Sequence, residues 1–443
     1  MRKKWLLLSL LGLSAFSLSA CQNNPVIDPT SEEEISEKTS EIPSESETSE
    51  SSNNEAAYTI MIYMCGSDLE SDTELGGLAT LNINEILSVD LNDEVNVIIE
   101  TGGSKRWYTP GINASYLQRF HVENKKLIED EKLTKANMGS SETFQSFVEW
   151  GLNEYPAEKT GVILWNHGGA MSGVCFDENY HDDSLTNSEI KTALNNAFKN
   201  TKRNEKLEWI GYDACLMAVL DIADFNSDFF NYMVCSQESE PGEGWAYSKF
   251  LKTLSNNPSI NTETLLGNIV DSYVTKCGDM YNEIAEDPEY ADYKNYNDAT
   301  LSVLDLSKVS SLVEAWENVS TSLSSIITSS RKFSTFKSNI LNKAQRFGYD
   351  PDYGYSFDIF DLEDVVNLMK NNSTYNVNGL NEVKTAYQNV IINHQNGRDS
   401  GDACGLCIFA AASGYSFSSD YSTSETNLTN WRTLNSNYGS WYR

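Results

Sequence analysis

Basic residues are scarce in this chain: 32 Lys and Arg stand against 64 Asp and Glu, for a net charge of −32. Nucleic acid is therefore a poor partner, because neutralising phosphates takes a surplus of Lys and Arg. Histidine is scarcer still. A general base drawn from the imidazoles has only His121, His167, His181 and His394 to choose among. No second Cys-x-x-Cys accompanies Cys404 and Cys407, which argues against a zinc site. No EF-hand spacing and no internal repeat appear. The apolar stretch from Trp5 to Ala20 is too short to span a bilayer comfortably.

That stretch follows Arg2, Lys3 and Lys4, which together have the pattern of an export signal at residues 1–20. It closes on Leu18-Ser19-Ala20-Cys21. Small residues before a Cys resemble the bacterial lipobox, which implies lipidation of Cys21 and anchorage at the outer face of a bacterial cell membrane. Residues 21–56 are rich in Ser and Glu. Between Pro29 and Ala56 there are nine Glu and one Lys. Such a segment has too little apolar surface to offset the entropy of ordering and reads as an extended acidic stalk. About −24 of the net charge belongs to the rest of the chain, which suits solubility and attraction of basic ligands.

The 443 residues and 40% hydrophobic content allow a sizeable core and two or three domains. Buried-strand patterns occur at Tyr58 to Met64, Glu94 to Glu100, Gly161 to Trp165, Leu207 to Gly211 and Tyr232 to Ser236. Helical spacing marks Leu78 to Ile86, Ser141 to Tyr155, Ser188 to Lys202 and Leu216 to Phe225. This alternation predicts an α/β fold, a mainly parallel sheet flanked by helices, over residues 57–247. Residues 248–443 read as a helix-rich region that returns a strand to the main sheet near 405–412. Cys65, Cys235 and Cys407 lie in or beside strand-like runs and are expected to be buried. An exported protein permits a disulfide among the six cysteines other than Cys21 and Cys215.

Two strand ends carry the chemistry. Leu207 to Gly211 runs into Tyr212-Asp213-Ala214-Cys215, and Thr160 to Trp165 runs into Asn166-His167-Gly168-Gly169. Ligands of open α/β sheets bind at the carboxyl ends of strands. A helix starting at Leu216 would favour the thiolate of Cys215. A Cys and a His on neighbouring strand ends suit nucleophilic catalysis: the imidazole takes the thiol proton and returns it to a leaving amine. The backbone N–H at Gly168 can serve as one arm of an oxyanion hole. Asp213 stands two residues before Cys215, so strand alternation predicts both on one face. It would form the floor of a pocket for a basic side chain or cap the next helix. Glu243 lies on a glycine-flanked turn, and Trp245 follows as a wall for the same pocket or as an ordinary core residue. The acidic loop with Asp177, His181, Asp182 and Asp183 is oxygen-rich, as calcium prefers.

The segments WNHGG, GYDACLMA and SQESEPGEGW, in this order and spacing, resemble the clostripain family of cysteine peptidases in the caspase-like clan. YTIMIYMCGSDLE resembles the family's opening strand and GLCIFAAA a late one, so the resemblance covers the chain from about Ala57 onward. It implies a caspase-like fold and an endopeptidase that uses His167 and Cys215 and cleaves after Arg or Lys. It implies pocket roles for Asp213 and Glu243, although Glu is longer than the Asp found in other members. The chemistry needs no cofactor, and calcium is a family option. The alternatives are an inactive surface binding protein and a same-clan peptidase specific for Asn or Asp. Many members cut themselves at a basic residue between the His and the Cys. Here Gly168 to Ile190 holds no Lys or Arg, which leaves Lys191, Lys199, Lys202, Arg203 and Lys206.

Overall fold

The strands are, in chain order, β1 (Ala56–Cys65), β2 (Val95–Gly102), β3 (Tyr116–Glu123), β4 (Lys126–Thr134), β5 (Ala157–Trp165), β6 (Val174–Asp177) and β7 (Asp183–Leu185). There follow β8 (Leu207–Asp213), β9 (Phe230–Cys235), β10 (Thr300–Asp305), β11 (Arg346–Asp350), β12 (Tyr355–Asp361), β13 (Ile391–Asn396) and β14 (Cys407–Phe409). The computed structural model describes residues 55–73, 76–285, 296–350, 355–413 and 426–439. The signal segment, Cys21 and nearly all of the stalk lie outside these residues.

β1 is apolar almost throughout and buried from Tyr58 to Cys65, as a strand covered on both faces must be. Its alternation divides the core in two. Met61, Tyr63 and Cys65 join one apolar cluster, and Tyr58, Ile60, Ile62 and Met64 join the other. The first cluster is covered by helices Ser141–Glu154 and Asn187–Thr201, through Phe144, Phe147, Ile190 and Ala193. The second is covered by helices Leu78–Leu87, Tyr247–Asn256 and Thr262–Ala285, through Leu78, Ile83, Phe250 and Ile269.

Nine strands form the central sheet in the order β13-β10-β9-β8-β5-β1-β2-β3-β4. The five in the middle, β9, β8, β5, β1 and β2, run parallel. Antiparallel pairs extend each side. The crossover between β5 and β8 uses the helix Asn187–Thr201, whose start is fixed by a capping box of Thr186 and Glu189. No helix among the described residues is long and apolar enough to cross a membrane.

Two expectations need correction. The helix predicted from Leu216 begins at Leu220. Leu216 has a φ of +67°, a left-handed conformation that no helix accommodates. Its apolar spacing reflects a buried turn. The run near 405–412 does not enter the central sheet. β14 pairs with β12 in a separate three-stranded sheet, with a single bridge from Cys407 to Val219. The chain returns to the central sheet through β10 and β13 instead. An apolar run reports burial, but it does not say which partner buries it.

Candidate functional site

β5 and β8 pair in parallel with Trp165 opposite Asp213. Two residues past that pair, His167 and Cys215 leave the carboxyl edge level with each other. Gly168 lies so close that a Cβ there would stand 2.1 Å from the Cys215 carbonyl oxygen. Only glycine lets these two strand ends approach this far. Asn166 ties the edge together: its Nδ2 donates to the Cys65 carbonyl at 2.7 Å, and its Oδ1 accepts the Phe176 N–H at 2.8 Å.

The Cys215 side chain is partly exposed. Burial pushes its thiol up, and the Glu238 charge adds to this, while the backbone amides of Glu240 and Gly168 favour the thiolate. The Glu240 N–H donates to Sγ at 3.2 Å. These amides take the part expected of a helix terminus, since the seven-residue helix starts five positions away. The His167 ring is engaged at Nε2 by Asp68 Oδ1, 2.8 Å away in the short helix Ser67–Ser71 that follows β1. Burial alone would raise the Asp68 carboxyl, but the His167 hydrogen bond and charge hold it below its ordinary value.

Asp213 ends β8, and strand alternation stops there. Its side chain turns to the face of Trp245 and Tyr247, whereas Cys215 packs against the opposite apolar cluster. The expected common face is therefore not observed. Asp213 Oδ2 accepts from Tyr247 Oη at 2.8 Å and from the Trp245 N–H at 3.3 Å. Burial raises its carboxyl to about 6, opposed by these donors and by the charge of Lys276. Gly244 has a φ of +60°, and a Cβ there would meet the Asp213 carboxylate at 2.9 Å. The turn thus needs glycine for its conformation and for its close approach. Trp245 is fully buried, with Nε1 donating to Glu240 Oε2 at 3.1 Å.

Glu243 accepts from Tyr296 Oη at 3.0 Å through Oε1, while its Oε2 is buried and has no partner among the described residues. Burial pushes this carboxyl up as well. Its carbonyl is held by Asn82 Nδ2 at 2.8 Å and by Lys276 Nζ at 2.9 Å. Lys276 also donates to the Trp245 carbonyl at 3.0 Å and to Glu85 Oε1 at 2.9 Å. The acid that meets Asp213 is Glu240, not Glu243.

Asp68, Glu240 and Lys276 were not singled out by the sequence. Asp68 could have been found from strand order, since β1 is the neighbour of β5 and its last turn shares the same edge. Glu240 lies in SQESEPGEGW, but nothing local separates it from Glu238 and Glu243. Lys276 comes from a distant helix and left no signal.

The remaining histidines lie elsewhere. His121 on β3 pairs with Asp130 at 2.7 Å, His394 is on the edge strand β13, and His181 occupies a left-handed turn position. Asp177 spends its oxygens on the N–H groups of Met138 and Asn179. Among the described residues no group of three or more His, Cys, Asp or Glu is placed to hold a metal ion. Cys65, Cys175, Cys235, Cys277, Cys404 and Cys407 are all buried thiols, and no disulfide forms among the described residues. Lys191 and Lys199 lie within helix Asn187–Thr201. Lys202, Arg203 and Lys206 lie at the amino end of β8, across the sheet from Cys215.

Residues 62–440 match the sequence model of the clostripain family. Clostripain of Hathewaya histolytica is 24% identical over 454 residues, covering 89% of this chain and 81% of that protein. A secreted C11 cysteine protease from Bacteroides thetaiotaomicron, in complex with an irreversible peptide inhibitor, has a TM-score of 0.60 at 17% identity. The match covers 85% of this chain and 99% of that one. An inactive zymogen C11 protease from Parabacteroides distasonis has a TM-score of 0.56 at 17% identity, covering 86% and 95%. These structures share the fold, with its large central sheet flanked by helices. With the family model matched along most of its length, this chain is a cysteine peptidase of the clostripain family.

Proposed function

We propose that the protein is an exported, lipid-anchored endopeptidase that cleaves after Arg or Lys, with Cys215 as nucleophile and His167 as general base. The observation that carries this reading is the juxtaposition of the two strand ends, with Gly168 set against the Cys215 backbone. His167 takes the thiol proton at Nδ1, and the thiolate attacks the scissile carbonyl. Backbone N–H groups at this edge, Gly168 among them, face the oxyanion that forms. The imidazolium then protonates the leaving amine, and water resolves the thioester. His167 and Sγ share no hydrogen bond in the substrate-free protein, a looseness common before substrate binds. Asp68 acts through His167 by fixing the ring.

The basic specificity rests on Asp213 and Glu240, which both bond Trp245, and on Glu243 of the same turn, whose carboxyl meets Tyr296. A buried guanidinium or ammonium group needs such carboxylates, because an unpaired buried charge is costly. Trp245 supplies the apolar wall. The export signal and Cys21 support the membrane anchor.

Short fluorogenic peptides that differ only in the residue before the scissile bond test the reading. Arg and Lys peptides should be turned over, and neither Cys215→Ala nor His167→Ala should cleave them. Preference for Asn or Asp would remove the basic pocket, and normal turnover by either variant would remove the mechanism.

A further inference from the structure

Glu240 stands between the nucleophile and Asp213, and it touches both. Its N–H donates to Cys215 Sγ, and its Oε2 accepts from Nε1 of Trp245, whose backbone N–H donates to Asp213 Oδ2, so the two carboxyls lie beside each other and each acts on the other's protonation. Two carboxylates at that range, away from water, do not both stay ionised. A proton between them turns repulsion into a bond. Glu240 Oε1 is buried and finds no N–H or O–H donor among the described residues. That leaves it as an atom to carry the proton.

Among the described residues the surroundings supply no cation besides Lys276. The groups facing the pair are the thiols of Cys215, Cys235 and Cys277 and the phenols of Tyr247 and Tyr273. All five are pushed upward by burial, so they are neutral near pH 7. Lys276 is the described cation whose charge reaches Asp213, and its donors are committed to Glu85 and to the carbonyls of Glu243 and Trp245.

We propose that Glu240 is a specificity-determining residue of this peptidase, sharing one proton with Asp213 in the empty site and releasing it when a substrate's guanidinium or ammonium group binds. The proposal rests on the basic-pocket reading above. Glu240 is the more exposed of the two acids and meets the incoming cation first, with Asp213 behind it. The O–H bond of the Glu240 carboxyl breaks, the proton passes to water, and N–H groups of the ligand take its place. A neutral side chain of the same shape cannot support two adjacent carboxylates, so it gains nothing from the exchange.

Linkage sets the sign. The empty pair holds a proton that the occupied pair lacks, so cation binding strengthens as pH rises, by about tenfold per unit for one whole proton. The test is kcat/KM of the full chain for two peptides that differ only by Arg or citrulline before the scissile bond, from roughly pH 5 to pH 9. Their ratio cancels the titration of Cys215 and His167, which both reactions share. The wild-type ratio should climb with pH, and Glu240→Gln should flatten the climb while keeping some preference for Arg through Asp213. A ratio that is high but constant with pH in the wild type would overturn the shared proton and leave the basic pocket standing. A ratio near one throughout would remove the pocket itself. Both decisive outcomes are read on the wild type, so a poorly folded variant does not shelter the proposal.

Discussion

Gly168→Ala is the sharpest test of how the two strand ends are set. A Cβ at this position would stand 2.1 Å from the Cys215 carbonyl oxygen, 3.0 Å from its nitrogen and 3.1 Å from the Ala214 Cβ. Contacts below 3.0 Å are essentially never seen, so the oxygen must retreat by at least 0.9 Å. Two of the three nearest atoms are backbone, two residues past the last pair of β5 with β8, and no rotamer change relieves them. The nucleophile and the base ride on the two segments that must separate. A misplacement of about 1 Å in reacting groups costs on the order of a hundredfold in rate. Forcing a methyl into a packed site costs about 1–3 kcal/mol of stability. Gly168→Ala should therefore lower kcat/KM for an Arg peptide by roughly a hundredfold. The thermal midpoint should drop by only several degrees. Alkylation of Cys215 by iodoacetamide should persist, which shows that the thiol is still presented. Activity within about threefold of wild type would refute the geometry, since no shift of the required size leaves a near-attack arrangement intact.

Three other outcomes follow from contacts already described. Asp68→Asn should lower kcat/KM by about fivefold, because the hydrogen bond to His167 is charge-assisted but lies between side chains that are 39% and 49% exposed. Since the Asp68 carboxyl is depressed in the folded state, its stabilisation is present above the ordinary carboxylate range. It is lost as pH falls through the folded value. The gap in thermal midpoint between wild type and variant should close in acid, and an unchanged gap would contradict the pairing. Lys276→Met frees the carbonyls of Glu243 and Trp245 and should cost about 2 kcal/mol of stability by denaturant titration, with KM for Arg peptides raised more than kcat is lowered. An unaltered KM would show that the loop holds its shape without Lys276. Intact-mass analysis of the mature protein should find a diacylated Cys21 at the amino terminus, and membrane recovery of Cys21→Ser in wild-type amounts would contradict the anchor.

The central strands were legible because β1, β5 and β8 are continuous apolar runs, which only a sheet covered on both faces accommodates. His167 and Cys215 were legible for the same reason: each follows directly where such a run stops. The hairpin of β3 and β4 was not, since its outer strand is largely exposed and carries charges on both faces. Leu216 to Leu220 misled because the whole turn is buried. Burial erases the polar face that separates a helix from an irregular apolar stretch. Asp213 misled for a related reason, since alternation predicts a shared face only while the strand lasts. Glu240 and Lys276 belong to long-range contacts, and a single sequence holds no trace of which acid a distant helix will approach.

The position of the basic cluster Lys202 to Lys206 bears on how this enzyme ages in solution. It sits at the amino end of β8, and the seven residues of that strand put about 20 Å of sheet between it and Cys215. No molecule can bend its own cluster round to its own nucleophile without dismantling the sheet. A nick that this enzyme makes there is made by one molecule on another. Such cleavage is second order in enzyme, so it accelerates in concentrated stocks and dies away on dilution.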